Sequence, residues 1–182
     1  TDRLEVAGHK VYAPTLTGLA DRSHLLSDAV TLDTHIADIA KLIEWEDLSD
    51  VILCGHSYAG FVLAGVVERA LPKIAAVVFV DAYLPRDGES MFEVAPPWSR
   101  ASLEAAIKAG DEVRQPPRAE SFNVNERDRA WVDAKMTPQP VAVALQKVRL
   151  SGAIEKVPGR AYVRATGYPN PTFDRYLDEA KK

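Results

Sequence analysis

The 182-residue chain predicts an α/β fold, a parallel sheet with helices on both faces, and three observations carry that reading. Short apolar runs of strand length alternate with segments whose apolar residues recur at helical spacing. Strand, helix, strand, helix, strand in that order requires crossovers, and crossovers make a parallel sheet. The third observation is the stretch V-I-L-C-G-H-S-Y-A-G, Val51 to Gly60, which organises the rest. Val51 to Cys54 is a run suited to a fully buried strand, and Gly55 breaks it. Phe61 to Val67 is apolar on nearly every side, as a helix buried against a sheet would be. Between them stands Ser57, with small residues at Gly55, Ala59 and Gly60. A sharp strand-to-helix turn carrying one serine is a nucleophile elbow, whose helix N-terminus offers N–H groups to a developing oxyanion. The competing reading is a glycine-rich turn whose serine merely caps the helix.

Each element follows from local chemistry. Thr1 to Ala7 reads as the tail of a helix, with Leu4 and Ala7 three apart and Gly8 as the stop. His9 to Ala13 reads as a strand ended by Pro14, and Thr15 to Val30 as a loop. Leu32, Ile36, Ile39 and Ile43 recur at spacings of four, three and four, with Asp33 near the helix start and Trp45 near its end. Leu48 to Cys54 is the strand before the elbow. The elbow helix closes near Leu71, before Pro72, and Ile74 to Val80 is a further strand ending at Asp81. Arg86 to Ser151 breaks this rhythm. It holds six of the twelve prolines and three short helices, Ala101 to Ala109, Asn125 to Met136 and Val141 to Leu150. Such an excursion between sheet strands is an insertion. The expected organisation is therefore a first part of the core over residues 1–85, an insertion over 86–151 and a return to the core over 152–182. That return carries a strand at Arg160 to Thr166, a rigid loop at Tyr168 to Pro171 and a helix from Thr172 to Lys182.

Composition limits the functional classes. With 47% apolar and 26% charged residues, the chain suits one globular domain with a sizeable core. A net charge of −4 and the lack of any Lys/Arg cluster argue against a nucleic-acid surface. The longest apolar run is too short to span a bilayer. The single cysteine, Cys54, forms no internal disulfide and reads as a small buried strand residue, compatible with a cytoplasmic location. The scattered histidines show no metal-ligand spacing, and no phosphate-binding glycine loop is present, so no cofactor is expected.

The motifs G-H-S-Y-A-G (Gly55 to Gly60), V-V-F-V-D-A-Y-L-P (Val77 to Pro85) and H-K-V-Y-A-P-T-L-T-G (His9 to Gly18) carry a resemblance. The chain resembles the α/β-hydrolase superfamily, specifically the small-ester hydrolases whose branch also holds the plant hydroxynitrile lyases. The resemblance runs through nearly the whole chain, with Ala59 standing where the motif expects glycine. It implies a helical cap over the active site, formed by the insertion, and Ser57 as the nucleophile. It also implies the Tyr58 amide as one oxyanion donor, with the second donor and the catalytic histidine outside the sequence. On that reading the chain is an internal part of a hydrolase, and a strand is absent between His9–Ala13 and the elbow strand.

Serine needs a base to take its proton and an acid to orient that base. All four histidines precede or adjoin Ser57. His9 and His35 read as packing residues, and the side chain of His56 leaves the turn in another direction. His24 lies in the loop toward the sheet's C-terminal edge, where it either touches substrate or fixes the loop. The resemblance offers two places for the acid, Asp81 at the end of its strand or Asp174 inside the last helix, and Asp81 is favoured over a turn-capping role. Phe92, Trp98, Phe122 and Trp131 are pocket wall or cap core. Packing is the commoner use of an aromatic, and Trp98 and Trp131 are the candidates for substrate contact. The expected function is hydrolysis of a small, largely apolar ester through an acyl-serine. The alternatives are a hydroxynitrile lyase-like enzyme and a catalytically dead module that binds a small apolar ligand.

Overall fold

A computed structural model describes residues 2–181, and the expectations for Thr1 and Lys182 lie outside it. The elements in order are α1 (Asp2–Val6), α2 (Leu32–Trp45), β1 (Val51–Ser57), α3 (Ala59–Ala70) and β2 (Ile74–Ala82). The insertion follows with α4 (Met91–Val94), α5 (Pro97–Ala109), β3 (Val113–Arg114), α6 (Glu126–Lys135), β4 (Gln139–Pro140) and α7 (Val141–Leu145). The chain then returns to the core through β5 (Gly159–Val163) and α8 (Pro171–Ala180). The three long strands form one parallel sheet in the order β1-β2-β5.

Helix α2 forms where the apolar spacing placed it, and Leu32, Ile36 and Ile43 are buried. The Thr31 amide donates to the Thr34 hydroxyl at 3.1 Å, which satisfies a backbone donor at the helix entrance. Helix α3 is buried on most of its surface, because it lies between α2 and the sheet. Gly65 permits the α2 contact: a Cβ there would stand 2.2 Å from Ile36 Cδ1.

Strand β1 begins later than expected and runs through the motif to Ser57. Its burial alternates. Leu53 and Gly55 are buried, whereas Cys54, His56 and Ile52 (57% exposed) face away. The fully buried strand and the buried Cys54 are thus corrected, because α3 packs on one face of the strand and successive side chains point to opposite faces.

Residues His9 to Ala13 form no strand. Among the described residues β1 pairs only with β2, so this segment has no ladder to join. Tyr12 instead donates to the Glu46 carboxylate at 2.7 Å, at the end of α2. The loop over 15–30 contains one 3-10 turn, Ala20–Leu25.

In the insertion, α5 begins four residues before the expected helix, α6 is one residue shorter than expected at each end, and α7 stops at Leu145 instead of Leu150. The chain unwinds there to reach other partners. The Gln146 side chain accepts from the Asp33 amide at 3.0 Å and donates to the Asp33 carboxylate at 2.7 Å. The Val148 amide and carbonyl pair with Glu89 and Gly88 at 2.9 Å each. Ala144 and Val148 join the same apolar core as Phe61, Val77 and Tyr176. The short antiparallel pair β3–β4 had no signal in the sequence, since two residues per strand are too few to show a period.

Candidate active site

The elbow is built by steric necessity. Ser57 has φ of 52°, in the left-handed region that side chains rarely adopt. A Cβ on Gly60 would stand 1.9 Å from the Tyr83 carbonyl oxygen, so the first turn of α3 lies directly against the chain leaving β2. A Cβ on Gly55 would meet Ala59 Cβ at 2.9 Å and Leu63 Cδ1 at 2.8 Å. Gly55 and Ala59 therefore share one crowded space, and alanine is admitted at 59 because 55 is glycine.

The next strand answers this turn. His56 lies opposite Val80 and Ser57 opposite Ala82, which leaves Asp81 as an extra residue in the ladder. Asp81 has φ of 41°, and the Tyr83 amide donates to the Ser57 carbonyl at 3.1 Å. Two left-handed residues on adjacent strands thus stand together at the C-terminal edge of the sheet, where parallel sheets place ligand sites.

Asp81 is 8% exposed, and its carboxylate is held on one side. Oδ1 accepts from the Ala165 amide at 2.9 Å and from Arg164 at 3.1 Å, while Oδ2 has only a 3.4 Å contact with Arg164. Arg164 also donates to Asp174 Oδ1 at 2.8 Å and to the Tyr168 carbonyl at 2.8 Å. Both acid candidates therefore meet one guanidinium whose side chain is 3% exposed. Opposing desolvation, these two carboxylates hold Arg164 above the usual arginine range. Strand β5 ends at Val163, earlier than the expected Thr166, because Arg164 and Ala165 turn to make these bonds.

The histidines divide. None is hydrogen bonded to Ser57 among the described residues. His56 is exposed on β1. His24 is exposed on the 3-10 turn and makes no hydrogen bond or ion pair among the described residues. His35, expected as a half-buried packing residue, is buried more deeply than that and is hydrogen bonded on both ring nitrogens. It is completely buried, with Nδ1 2.9 Å from the Tyr58 hydroxyl and Nε2 2.9 Å from the Thr17 carbonyl oxygen. Its position one place off the apolar stripe of α2 was the only hint of this. Burial lowers its pKa, and the Thr17 carbonyl and Asp38 oppose that shift. Burial likewise pushes the Tyr58 phenol well up, with Asp38 adding to the effect.

Trp98 and Trp131 are 50% and 66% exposed, so neither is cap core. Trp98 stacks edge-on with Phe122 at 6.4 Å, and Phe122 lies 6.4 Å from Tyr168 in the loop that Arg164 holds. Trp131 has no aromatic ring contact among the described residues. An open cavity of about 550 Å³ is lined by Asp87, Glu93, Arg100 and Arg175, without Ser57, Tyr58 or Asp81. Among the described residues, no three His, Cys, Asp or Glu side chains gather as a metal would require, and no helix is long and apolar enough to cross a membrane.

A parallel sheet flanked by helices, with a strained serine on the strand-to-helix turn, defines the class, and the comparisons agree. The model of the alpha/beta hydrolase family matches residues 2–181. The carbendazim hydrolyzing esterase of Nocardioides sp. (strain SG-4G) is 39% identical, over 96% of this chain and 75% of its own length. Methylesterase 1 of Arabidopsis thaliana is 32% identical over 45% of this chain, which spans only 32% of that relative. Among solved structures, an extracellular alpha/beta-hydrolase from a Paenibacillus species superposes with a TM-score of 0.82 at 24% identity, covering 97% of this chain and 78% of its own. The chain belongs to the alpha/beta hydrolase family, on its esterase branch.

Proposed function

We propose that Ser57 is the nucleophile of a serine carboxylesterase that cleaves a small, largely apolar ester through an acyl-serine. The observation that carries the reading is the left-handed Ser57 at the strand-to-helix turn, held there by backbone contacts that exclude a side chain at Gly60. The Ser57 hydroxyl oxygen attacks the ester carbonyl carbon while a base takes its proton. The carbonyl oxygen becomes an oxyanion that the Tyr58 amide holds, and no other hydrogen bond engages that amide among the described residues. Collapse expels the alcohol, protonated by the base, and water then releases the acid and restores Ser57.

Asp81 is the acid of this reading. Its Oδ1 is occupied twice, and Oδ2 retains the lone pairs that an imidazole N–H would take. The reading requires a base that takes the Ser57 proton, and no histidine is hydrogen bonded to Ser57 among the described residues. Trp98, with Phe122 and Tyr168, forms an aromatic wall for the substrate's apolar part. His24 and Trp131, both exposed, stand in this reading as further substrate contacts. The relatives described as a carbendazim hydrolyzing esterase and a methylesterase support an ester as the substrate class.

A second reading, a ligand-binding module without catalysis, draws on the Ser57 hydroxyl having no hydrogen-bond partner among the described residues and on Asp81 being committed to Arg164. Fluorophosphonate labelling followed by peptide mapping separates the two. The esterase reading expects capture at Ser57, strengthened by free imidazole in place of the base, and none in Ser57→Ala. No capture with imidazole present leaves the binding module. With a base in place, Asp81→Asn cuts turnover by about 10⁴. Full activity in Asp81→Asn with loss in Asp174→Asn moves the acid to α8.

A further inference from the structure

Behind the elbow runs a chain of hydrogen bonds that the proposed chemistry does not use. The loop after residue 14 is docked on α2 by Asp38, whose carboxylate accepts from the Thr17 amide at 2.7 Å and the Thr17 hydroxyl at 2.8 Å. Arg22 reinforces the dock, donating to Asp38 at 3.3 Å and to the Thr15 carbonyl at 2.9 Å. The Thr17 carbonyl is thereby aimed at His35, which lies three residues before Asp38 on the same face of α2. A carbonyl oxygen only accepts, so Nε2 of His35 carries the proton and Nδ1 offers a lone pair. The Tyr58 hydroxyl, 2.9 Å away, donates to Nδ1, and the two rings meet edge-on at 5.8 Å. Tyr58 is the residue directly after Ser57, at the entrance to α3, where no side chain caps the helix.

We infer that His35 is a positioning residue for the elbow: by holding the Tyr58 hydroxyl it fixes the peptide between Ser57 and Tyr58, and so the direction of the amide that faces the oxyanion. This rests on the reading of Ser57 as nucleophile. Serine at a positive φ is a strained conformation that persists only where its surroundings impose it. The Ser57 carbonyl is held from one side by the Tyr83 amide, and the Tyr58 side chain is held from the other by His35. A buried histidine with both nitrogens satisfied is rigid, and Thr17 and Asp38 remove the remaining freedom. An oxyanion donor removed outright costs about 10²- to 10³-fold in turnover, so one left free to swing costs about tenfold.

The test compares His35→Leu, His35→Gln and Tyr58→Phe in the full chain. Gln retains an acceptor for Tyr58 and a donor for Thr17, whereas Leu retains neither. The first readout is the rate of fluorophosphonate capture at Ser57 with imidazole present. His35→Leu and Tyr58→Phe, each folded by its melting transition, should react about tenfold more slowly than the parent, and His35→Gln within about twofold of it. Parent-like capture in folded Tyr58→Phe overturns the inference and leaves His35 a purely structural residue. The second readout is the amide NMR resonances of Ser57 and Tyr58 in the two His35 variants, both of which lack the imidazole ring. Displacement in the Leu variant relative to the Gln variant, with Val66 unmoved, supports the inference. Coincident resonances overturn it. If the parent chain is never captured, the nucleophile reading fails and the amide resonances alone decide the role of His35.

Discussion

Arg164 donates to both carboxylate oxygens of Asp81, at 3.1 and 3.4 Å, across 83 residues of chain. The contact is nearly dry, with side chains 3% and 11% exposed, so each charge depends on the other. Removing one partner of such a pair strands the other and costs about 3 kcal/mol, whereas removing both is far milder. Arg164→Met should therefore destabilise the chain by about 3 kcal/mol in urea unfolding, and Asp81→Asn combined with Arg164→Met should recover much of that loss. Losses that simply add would show that the two residues are energetically independent.

Ser57→Ala should remove fluorophosphonate capture and ester turnover while leaving stability within about 0.5 kcal/mol. The hydroxyl makes no hydrogen bond among the described residues, and alanine relieves none of the backbone contacts that set the turn. In a complete triad, losing the nucleophile costs on the order of a million-fold in turnover. A variant retaining a tenth of the parent rate would place the chemistry elsewhere.

Two glycines near the elbow differ in what an added methyl group meets. At Gly60 it strikes the Tyr83 carbonyl oxygen at 1.9 Å, which is backbone anchored to Ser57. At Gly65 it strikes Ile36 Cδ1 at 2.2 Å, the far end of a flexible side chain. Gly60→Ala should cost about 3 kcal/mol or prevent folding, and Gly65→Ala about 1 kcal/mol, eased by Ile36→Val. Thermal melts of the three variants check the order. Equal losses would mean that the elbow backbone yields as readily as a side chain.

His35 predicts a dependence on pH. Burial lowers its pKa from the ordinary 6.5, so the folded state prefers the neutral ring more than the unfolded chain does. A depressed folded value gives stability that is fully present above about pH 6.5 and is lost as pH falls through the folded value. Protonation would place a second proton on Nδ1, against the Tyr58 hydroxyl that now donates to it. Melting curves from about pH 8 to about pH 5 should show a steeper loss in the parent than in His35→Leu, which is weaker throughout but flatter. Parallel curves would remove His35 from the acid response.

The serine elbow, α2 and α3 were legible in the chain because each is a local pattern. Gly55, Ser57 and Gly60 lie within one turn, and a helix repeats its apolar face every three or four residues. The apolar run of the strand that carries Asp81 was equally visible, although the strand continues one residue past Asp81, to Ala82, where it pairs with Ser57.

Other features were decided between segments distant in sequence. His9 to Ala13 has the residues of a strand but finds no strand beside it, and a strand is defined by its partner's hydrogen bonds. Ile52 and Cys54 read as part of a buried run, yet their exposure depends on which face α3 covers. Nothing near Arg164 in the sequence announces that it will gather Asp81 and Asp174, and nothing near His35 points to Tyr58, 23 residues away. The sequence by itself determined the turn that presents Ser57, because sterics and helix periodicity act over a few residues. Only the tertiary structure decided which charges and hydrogen-bond donors surround that turn, because burial and pairing depend on groups that meet solely through the fold.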